Sequence, residues 1–259
     1  YRKNWARFVL IPSASYDYFS FGRSAGTRST ASRDTTSLSH QLEMQMLQGR
    51  FEFSQGNALV VILRGSEAQF RAVQNIVPTD YVSGGGFVGV DLRSDSLLQY
   101  RLLVGGEHRQ FTRGGGRAAQ TPTAEADVLW MPDRLDTVTL TGQRGFFDPT
   151  SPFARNQIVS LVTLNWDREL RRDLVFHGIV SLSRSDASSS TPGTPTRVQN
   201  QTRFNGSLDW QFSRDMKMTL QYSHVSSYSK HGVAAVIANE RAKATFTGNI
   251  FSFGLSYAR

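Results

Sequence analysis

The sequence contains no cysteine, which excludes disulfides, thiolate metal sites and cysteine nucleophiles together. It also lacks a long hydrophobic run. The longest unbroken apolar segment, Ala58 to Leu63, has six residues, whereas a transmembrane helix needs about 20. Entry into a membrane would therefore require a closed barrel of strands, which is the only other way to satisfy every backbone group in lipid. The chain opens on YRKNWARF with no signal peptide, so we expect an exported form to have been processed or the sequence to be trimmed.

Acidic residues are outnumbered by basic ones, and the formal net charge of the 259 residues is +8. An excess of this sign can indicate a nucleic-acid partner when it is concentrated on one helix or one face. Here the basic residues are scattered, many of them in Gly/Ser/Thr-rich stretches, and no basic helix is recognisable. We therefore expect no nucleic-acid partner.

The clearest pattern is the stretch QTRFNGSLDWQF, residues 201–212, in which apolar and polar positions alternate without exception. Such a period of two places one apolar and one polar face on an extended strand. A soluble β-sandwich also alternates, because one face of each sheet covers the core. The stretch is longer than the about five or six residues usual in soluble domains. Aromatic residues at both ends of its apolar face are typical of a lipid-facing barrel strand.

Similar alternation recurs along the chain and predicts twelve strands, the first from about Trp5 to Ser20. The connections between them alternate between long polar loops and short turns, which is the pattern of outer-membrane barrels. We predict an all-β fold: one antiparallel transmembrane β-barrel domain over residues 1–259, in a bacterial outer membrane. Both termini are expected at the short-turn, periplasmic rim. Phospholipid and lipopolysaccharide would surround the barrel.

The alternation also predicts which side chains face lipid and which face the lumen. Lipid-facing aromatic candidates share the apolar parity of their strands: Phe8, Tyr16, Tyr18, Tyr100, Trp130, Trp166, Phe204, Trp210, Phe212, Tyr222, Phe251, Phe253 and Tyr257. Lumen-lining candidates share the polar parity: Arg7, Glu43, Arg64, Arg101, Glu107, Arg109, Glu125, Asp127, Asp167, His177, Arg203, Asp209 and Lys217. Opposite charges on neighbouring strands would either pair across the wall or set the field inside a pore.

Candidate catalytic and metal-binding residues are sparse. The five histidines lie far apart, with no spacing suited to a metal. The two GGG stretches lack the Lys-Ser/Thr ending of a phosphate-binding loop. No histidine has a serine at a convincing same-face position with a third polar partner. We expect no cofactor, no metal and no enzymatic activity, although an outer-membrane hydrolase stays open as an alternative.

Several segments resemble a known family: NWARFVLIPSASYDYF, GNALVVILRGSEAQFR, AEADVLWMPDRLDTVTLTGQR and LNWDRELRRDLVFHGIVSLSRSD. They are similar to the putative beta-barrel porin 2 family of bacterial outer-membrane proteins. The likeness covers nearly the whole chain and consists of strand-and-turn segments rather than catalytic motifs. The resemblance implies a porin-like barrel. Members usually carry further strands before the segment like residues 5–20, so it also implies that this chain is part of a larger barrel.

Three functions follow as hypotheses. The first is a passive pore for small polar solutes. The second is a structural or accessory barrel, because some members of the family are associated with exopolysaccharide export; envelope or polysaccharide-export proteins, or further copies of the chain, would then be partners. The third is a hydrolase. We also expect Ser229 to Phe246 to form a constriction inside the lumen.

Overall fold

The computed structural model describes residues 3–5, 7–22, 38–72, 80–94, 97–113, 117–148, 154–189, 197–231 and 245–257. These residues form thirteen strands: β1 Lys3–Trp5, β2 Phe8–Phe19, β3 His40–Ser54, β4 Asn57–Phe70, β5 Tyr81–Arg93, β6 Leu98–Phe111, β7 Ala119–Trp130, β8 Asp136–Phe147, β9 Ala154–Arg171, β10 Leu174–Ser189, β11 Arg197–Gln211, β12 Met216–His231 and β13 Phe246–Tyr257. No helix long and apolar enough to cross a membrane occurs in these ranges.

All thirteen strands belong to one sheet, in chain order, and every neighbouring pair is antiparallel. Twelve of them have between 12 and 18 residues, which is long for strands of soluble domains. Connections alternate in length along the chain: residues 20–39 join β2 to β3, whereas residues 55–56 join β3 to β4. The sheet therefore has a long-loop rim and a short-turn rim. The predicted all-β antiparallel fold is confirmed.

The start of the chain differs from the prediction. A single strand was expected from about Trp5 to Ser20, but β1 ends at Trp5 and the chain turns back into β2. Trp5 pairs with Phe8 and Lys3 pairs with Leu10, so the two strands form a tight hairpin at the short-turn rim. The sequence does not reveal this reversal, because Ala6 and Arg7, the two residues between the strands, are not typical turn-forming residues.

One row of paired residues crosses all twelve long strands and defines the two faces of the sheet. From β2 to β13 it contains Val9, Arg50, Val60, Gly89, Leu103, Glu125, Gln143, Leu161, Ser183, Gln201, Ser227 and Phe246. The row begins near the short-turn end of β2 and finishes at the long-loop end of β13. The strands are therefore strongly staggered, as the tilted strands of barrels are.

The face that carries this row is concave. Arg64 on β4 and Glu125 on β7 are 3.0 Å apart between Nη2 and Oε1. In a flat sheet these two strands would be separated by about 14 Å, since each step between neighbours is about 4.8 Å. Curvature brings the side chains together. We call this side the concave face and the opposite side the convex face.

The concave face of β3–β6 buries apolar side chains. One cluster contains Val60, Ile62, Phe87 and Leu103, and none of the four is more than 4% exposed. A second cluster, nearer the long-loop rim, contains Leu42, Ala68, Phe70 and Tyr81. The apolar parity of β3 around Leu42 therefore faces inward, not outward as predicted. Packing against β4–β6 decides the facing, because burial of these side chains outweighs the alternation within a single strand.

Two glycines allow β5 and β6 to approach closely beneath this cluster. A Cβ at Gly89 would lie 1.8 Å from the carbonyl oxygen of Leu102, and one at Gly105 would lie 2.0 Å from that of Gly86. No side chain fits at either position.

The predicted constriction lies mostly outside the described residues. β12 continues to His231 and β13 begins at Phe246, so only the two ends of Ser229 to Phe246 are described. β13 is paired with β12 alone among the described residues, and its apolar side chains are strongly exposed, with Phe251 at 79%.

Candidate functional site: the concave face

Most of the predicted lumen residues do share the concave face. The register places there Arg64, Arg101, Glu107, Arg109, Glu125, Asp127, Asp167, His177, Arg203, Asp209 and Lys217. Their strands alternate as the sequence indicated, and the face that they share is the one that the curvature encloses.

Two of the predicted lumen residues are elsewhere. Glu43 is on the convex face, exposed and paired with Tyr16 and Glu67, because the inward parity of β3 belongs to its apolar residues. Arg7 lies in the turn before β2 and is exposed. Its backbone oxygen accepts a hydrogen bond of 2.8 Å from the Glu52 amide, so this position closes the hairpin end and does not line the wall.

Close to the short-turn rim, the concave face of β3–β6 carries opposite charges in contact. Arg50 on β3 forms an ion pair with Asp91 on β5 across the intervening strand. Arg101 on β6 lies opposite Asp127 in the register and is 3.5 Å from Gln48 Oε1. Together with the Arg64–Glu125 pair, these contacts cross the wall above and below the apolar cluster. The predicted pairing of lumen charges is present here.

A second polar cluster lies at the long-loop rim. The Asp148 carboxylate, just after β8, accepts a hydrogen bond from the Tyr81 hydroxyl and lies 3.3 Å from His40 Nε2. The other ring nitrogen of His40 is 2.7 Å from the Leu38 carbonyl oxygen. Both ring nitrogens thus face acceptors, which suits the cationic form of histidine. Asp148 was not singled out from the sequence, because it lies in a loop with no alternation to give it a facing.

The surroundings of Asp148 favour its ionised form. Burial raises the pKa of this carboxyl, but the hydrogen bonds from His40 and Tyr81 and the positive charge of Arg109 outweigh burial. The pKa of Asp148 is consequently below its ordinary value of 3.8. An ionised Asp148 therefore links the end of β8 to β3 and β5 on the concave face.

Arg109 completes this cluster. Its side chain is 2% exposed, and its guanidinium lies 3.7 Å from the centre of the Tyr81 ring and 4.8 Å from that of Phe146. It donates hydrogen bonds to Asn156 Oδ1 at 3.3 Å and to the Phe147 carbonyl oxygen at 3.4 Å. A buried cation is tolerated only with such partners. Arg109 is therefore packed among the side chains of β5, β8 and β9 and does not line an open passage.

The concave face of β9–β12 is different in kind. Hydroxyl and amide side chains bond in cross-strand pairs: Ser181 with Thr163 at 3.2 Å, Ser223 with Asn205 at 2.7 Å, Gln157 with Ser185 at 2.8 Å and Gln199 with Ser227 at 3.1 Å. Ser181, Thr163, Ser223 and Asn205 are partly exposed and keep further donors and acceptors available for water or a solute, whereas Ser227 is buried. This part of the wall is polar along most of its length.

Charged residues of this half gather near the short-turn rim. His177 Nδ1 is 2.5 Å from Asp167 Oδ1, and His177 Nε2 is 3.7 Å from Asp209 Oδ2. Asp209 also pairs with Lys217 Nζ at 2.5 Å and accepts a hydrogen bond of 2.8 Å from the Thr219 hydroxyl. Four neighbouring strands are joined by this network. Four of the predicted lumen residues are thus brought into one group.

The register also reveals a residue that sequence reasoning missed. Ser207 on β11 lies directly opposite His177 on the concave face, and Asp167 lies opposite His177 on the other side. The statement that no histidine has a same-face serine and a third polar partner is therefore wrong. The relation could not be found from the sequence, because it depends on the register between β10 and β11.

The convex face bears a continuous apolar band. On β10 it runs from Leu174 to Leu182, and the next outward residues are Arg184 and Asp186. Eight residue steps of about 3.3 Å, tilted by about 40°, span about 20 Å across a membrane, close to the about 25 Å expected of a barrel. The register places on this face Phe8, Tyr16, Tyr18, Tyr100, Trp130, Trp166, Phe204, Trp210, Tyr222, Phe251, Phe253 and Tyr257. Phe212 follows the end of β11 and packs against Trp210.

Two tryptophans at the short-turn end of this band have polar partners. Trp166 Nε1 donates to Asp136 Oδ1 at 2.8 Å, and Trp210 Nε1 donates to Asp173 Oδ2 at 2.9 Å. Hydrogen bonds from Arg171 and Trp210 lower the pKa of the Asp173 carboxyl, which lies in the turn between β9 and β10. An apolar ring with a bonded N–H suits a boundary between lipid and water.

Among the residues that the structure describes, no three or more His, Asp or Glu side chains are arranged so that they could hold a metal ion. The concave face thus presents hydrogen-bonding and charged groups, and the chemistry that these groups support is solute contact and proton transfer.

The family to which the sequence is matched agrees with this architecture. The sequence profile of the family described as Putative beta-barrel porin 2 matches residues 12–242. Among solved structures, the chain is similar to the beta domain of the Bordetella autotransporter BrkA, with 11% identity, 96% of this chain and 97% of that chain covered, and a TM-score of 0.26. No match is found among curated proteins. The family match spans most of the chain, and the protein therefore belongs to the Putative beta-barrel porin 2 family of outer-membrane β-barrels.

Proposed function

We propose that the protein is a passive pore through which small polar solutes cross the outer membrane along the concave face of β9–β12. The observation that supports this most directly is the contrast between the two faces there. The convex side is apolar from Leu174 to Leu182, whereas the concave side offers hydroxyl and amide pairs such as Ser181–Thr163. Water and hydrated solutes are stabilised along such a wall.

The proposal includes an orientation. In bacterial barrels the short turns face the periplasm and the long loops face outward. The short-turn rim would then be periplasmic, and both the β1–β2 hairpin and the end of β13 would lie there. The apolar convex band would contact the acyl chains of phospholipid and lipopolysaccharide.

Single-channel recording in planar bilayers tests the pore. A bulky residue on the polar concave wall should narrow the path, so we expect Ser183→Trp to lower the conductance. Leu182→Trp is the matched control, because Leu182 is the preceding residue, faces the convex side and is 52% exposed. Equal conductance in the two variants would refute a path along β10, and a protein that never conducts would refute the pore.

A structural or export-accessory barrel is the second candidate, and the filled half of the concave face favours it. The Val60–Leu103 cluster and the Arg109 contacts pack the wall of β3–β8 as an interior, which is what a scaffold for envelope or polysaccharide-export proteins needs. Absence of conductance from correctly folded protein would favour this role over the pore.

A hydrolase is the third candidate, supported by the line Ser207, His177 and Asp167 across three strands. His177 Nδ1 contacts Asp167, which leaves Nε2 as the nitrogen that could take the Ser207 proton during attack on an ester carbonyl. The backbone amides of β10 and β11 are committed to the sheet and provide no oxyanion hole, and Asp209 lies beside the same Nε2. An ester-hydrolysis assay of the unaltered protein separates this candidate from a pore.

A further inference from the structure

Arg203 is distinguished from the other predicted cations of the concave face by what surrounds it. It lies in the middle of β11, is exposed, and faces the concave side opposite Ser181 on β10 and Val225 on β12. Within the described part of the chain, no carboxylate is within ion-pair distance of its guanidinium. Arg64 and Lys217, by contrast, each contact an acid.

The nearest acid along the same face of β11 is Asp209. It lies six residue steps from Arg203. At about 3.3 Å per residue this is about 20 Å, more than twice the about 8 Å over which salt screens exposed charges at physiological ionic strength. Asp209 is moreover already paired with Lys217. The charge of Arg203 is therefore not neutralised by the wall.

Apart from Val225 on β12, the neighbours of Arg203 on the concave face are uncharged and polar. Gln201 and Asn205 flank it on β11, and Ser181 and Ser183 approach it from β10. The Ser223 hydroxyl donates a hydrogen bond of 2.7 Å to Asn205 Oδ1, which orients this amide two residues along β11 from Arg203. The arrangement offers one fixed cation together with several groups that bond hydroxyls.

We propose that Arg203 is the centre of a binding site for a small anionic solute that also carries hydroxyl groups, such as an acidic sugar. The guanidinium would hold the carboxylate, and Ser181 and Asn205 would bond the hydroxyls. The inference extends the proposed pore, on which it rests, by naming a solute class. Arg197, near the long-loop end of the same face, donates from Nε to Ser229 Oγ at 3.1 Å and supplies a second cation toward the entrance.

The balanced count of charges on the predicted lumen residues argues against strong anion selectivity only if those charges are spread evenly. The charges are not spread evenly. On the concave face of β9–β12 the acids lie near the short-turn rim around His177, whereas Arg203 lies farther from that rim, in the middle of β11. Along the described concave face of β9–β12, Arg203 therefore lies nearer the long-loop rim than Asp167 and Asp209 do.

Equilibrium binding to the folded full chain in detergent micelles tests the site without requiring conduction. Galacturonate and galactose are matched probes, since they differ by a carboxylate in place of a hydroxymethyl group. By ligand-observed NMR we expect galacturonate to bind about fivefold more tightly than galactose, and Arg203→Gln to remove this preference. Equal binding of the two sugars to the unaltered protein would overturn the inference.

Arg184→Gln is the control for the loss of one positive charge, because Arg184 is on the convex face and lies 3.3 Å from Asp186. It should keep the preference for galacturonate, and loss of the preference in both variants would show that net charge, not the Arg203 site, is responsible. In planar bilayers Arg203→Gln should also lower the permeability of chloride relative to potassium. If the protein binds galacturonate through Arg203 but does not conduct, the pore is refuted and the binding site is supported. If it conducts but shows no preference for galacturonate, the binding site is refuted and the pore is supported.

Discussion

The concave faces of β3–β6 and β9–β12 belong to one continuous ladder, yet they are built for different surroundings. The first buries Ile62 and Leu103 to 2% and 1% exposure and joins distant strands through ion pairs. The second bears cross-strand hydroxyl and amide pairs and leaves Arg203 exposed. One half of the wall resembles the interior of a soluble protein, and the other half resembles a wet surface.

The contrast shows that alternation alone does not predict whether the inward-facing side chains pack against one another or contact water. Both halves alternate, but inner residues of β4 are stabilised by contacts with one another, whereas those of β10 and β11 keep capacity for water. The free energy that holds the curved shape should therefore reside mainly in β3–β6. Contact with solute should reside in β9–β12.

The largest expected effect is the loss of an apolar side chain from the packed half. Leu103→Ala should lower the free energy of unfolding by about 3 to 4 kcal/mol, because it leaves a cavity beside Ile62 and Phe87. Ile179→Ala removes the same kind of side chain from the concave face of β10, where Ile179 is 36% exposed, and should cost under about 1 kcal/mol. Urea unfolding in detergent measures both. Equal losses would abolish the distinction between the halves.

A smaller effect is expected where the packed half depends on backbone contact. Gly89→Ala should cost about 2 to 3 kcal/mol, because its methyl group cannot fit at 1.8 Å from the Leu102 oxygen without moving β5 or β6. Gly84→Ala on the same strand is the control, since a Cβ there meets nothing within 4 Å. It should change stability by less than about 0.5 kcal/mol. A harmless Gly89→Ala would mean that the close approach does not support the fold.

The smallest effect concerns the polar cluster that joins the packed half to β8. Asp148→Asn should lower the free energy of unfolding by about 1 to 2 kcal/mol near neutral pH, through loss of the charged acceptor for Tyr81 and His40. Because the pKa of Asp148 is lowered in the folded protein, its contribution is present above the ordinary value and is lost as pH falls through the folded pKa.

The difference between Asp148→Asn and the unaltered protein should accordingly shrink when unfolding is measured at about pH 2 instead of about pH 7. Asp133→Asn is a useful comparison, since this exposed turn carboxyl also has a lowered pKa, caused by hydrogen bonds from the Leu135 and Asp136 amides. A loss for Asp148→Asn that is the same at both pH values would contradict an ionised Asp148.

Much of the fold could be predicted from alternation and loop lengths, because both can be recognised within short segments of the sequence. The stretch at 201–212 gave the correct facing of Phe204 and Arg203, since no competing cluster lies beside β11. On β3, where Leu42 and its apolar neighbours share one parity, the same reasoning placed Glu43 on the wrong face. The set of β3 side chains that faces inward is decided by packing near Ile62 and Phe87, and these residues are distant from β3 in sequence.

The site residues show the same limit. The alternation correctly placed Arg109 among the inward-facing residues. It did not predict that Arg109 is buried between Tyr81 and Phe146, because that burial requires β5, β6 and β8 together. Pairing of Ser207 with His177 depends on the register of two strands, and a slip of β11 by one residue would turn Ser207 to the opposite face. Contacts between side chains on neighbouring strands depend on the register of those strands, and the alternation within a single strand does not determine that register.

The hairpin of β1 and β2 has a consequence for how the cylinder can be sealed. Every strand reverses the direction of the one before, so β1 and β13 travel the same way and could meet only side by side in parallel. β2 travels the opposite way and offers β13 a matching antiparallel seam. Joining β13 to the whole of β2 would require Lys3, Asn4 and Trp5 to leave their places against Leu10, Val9 and Phe8.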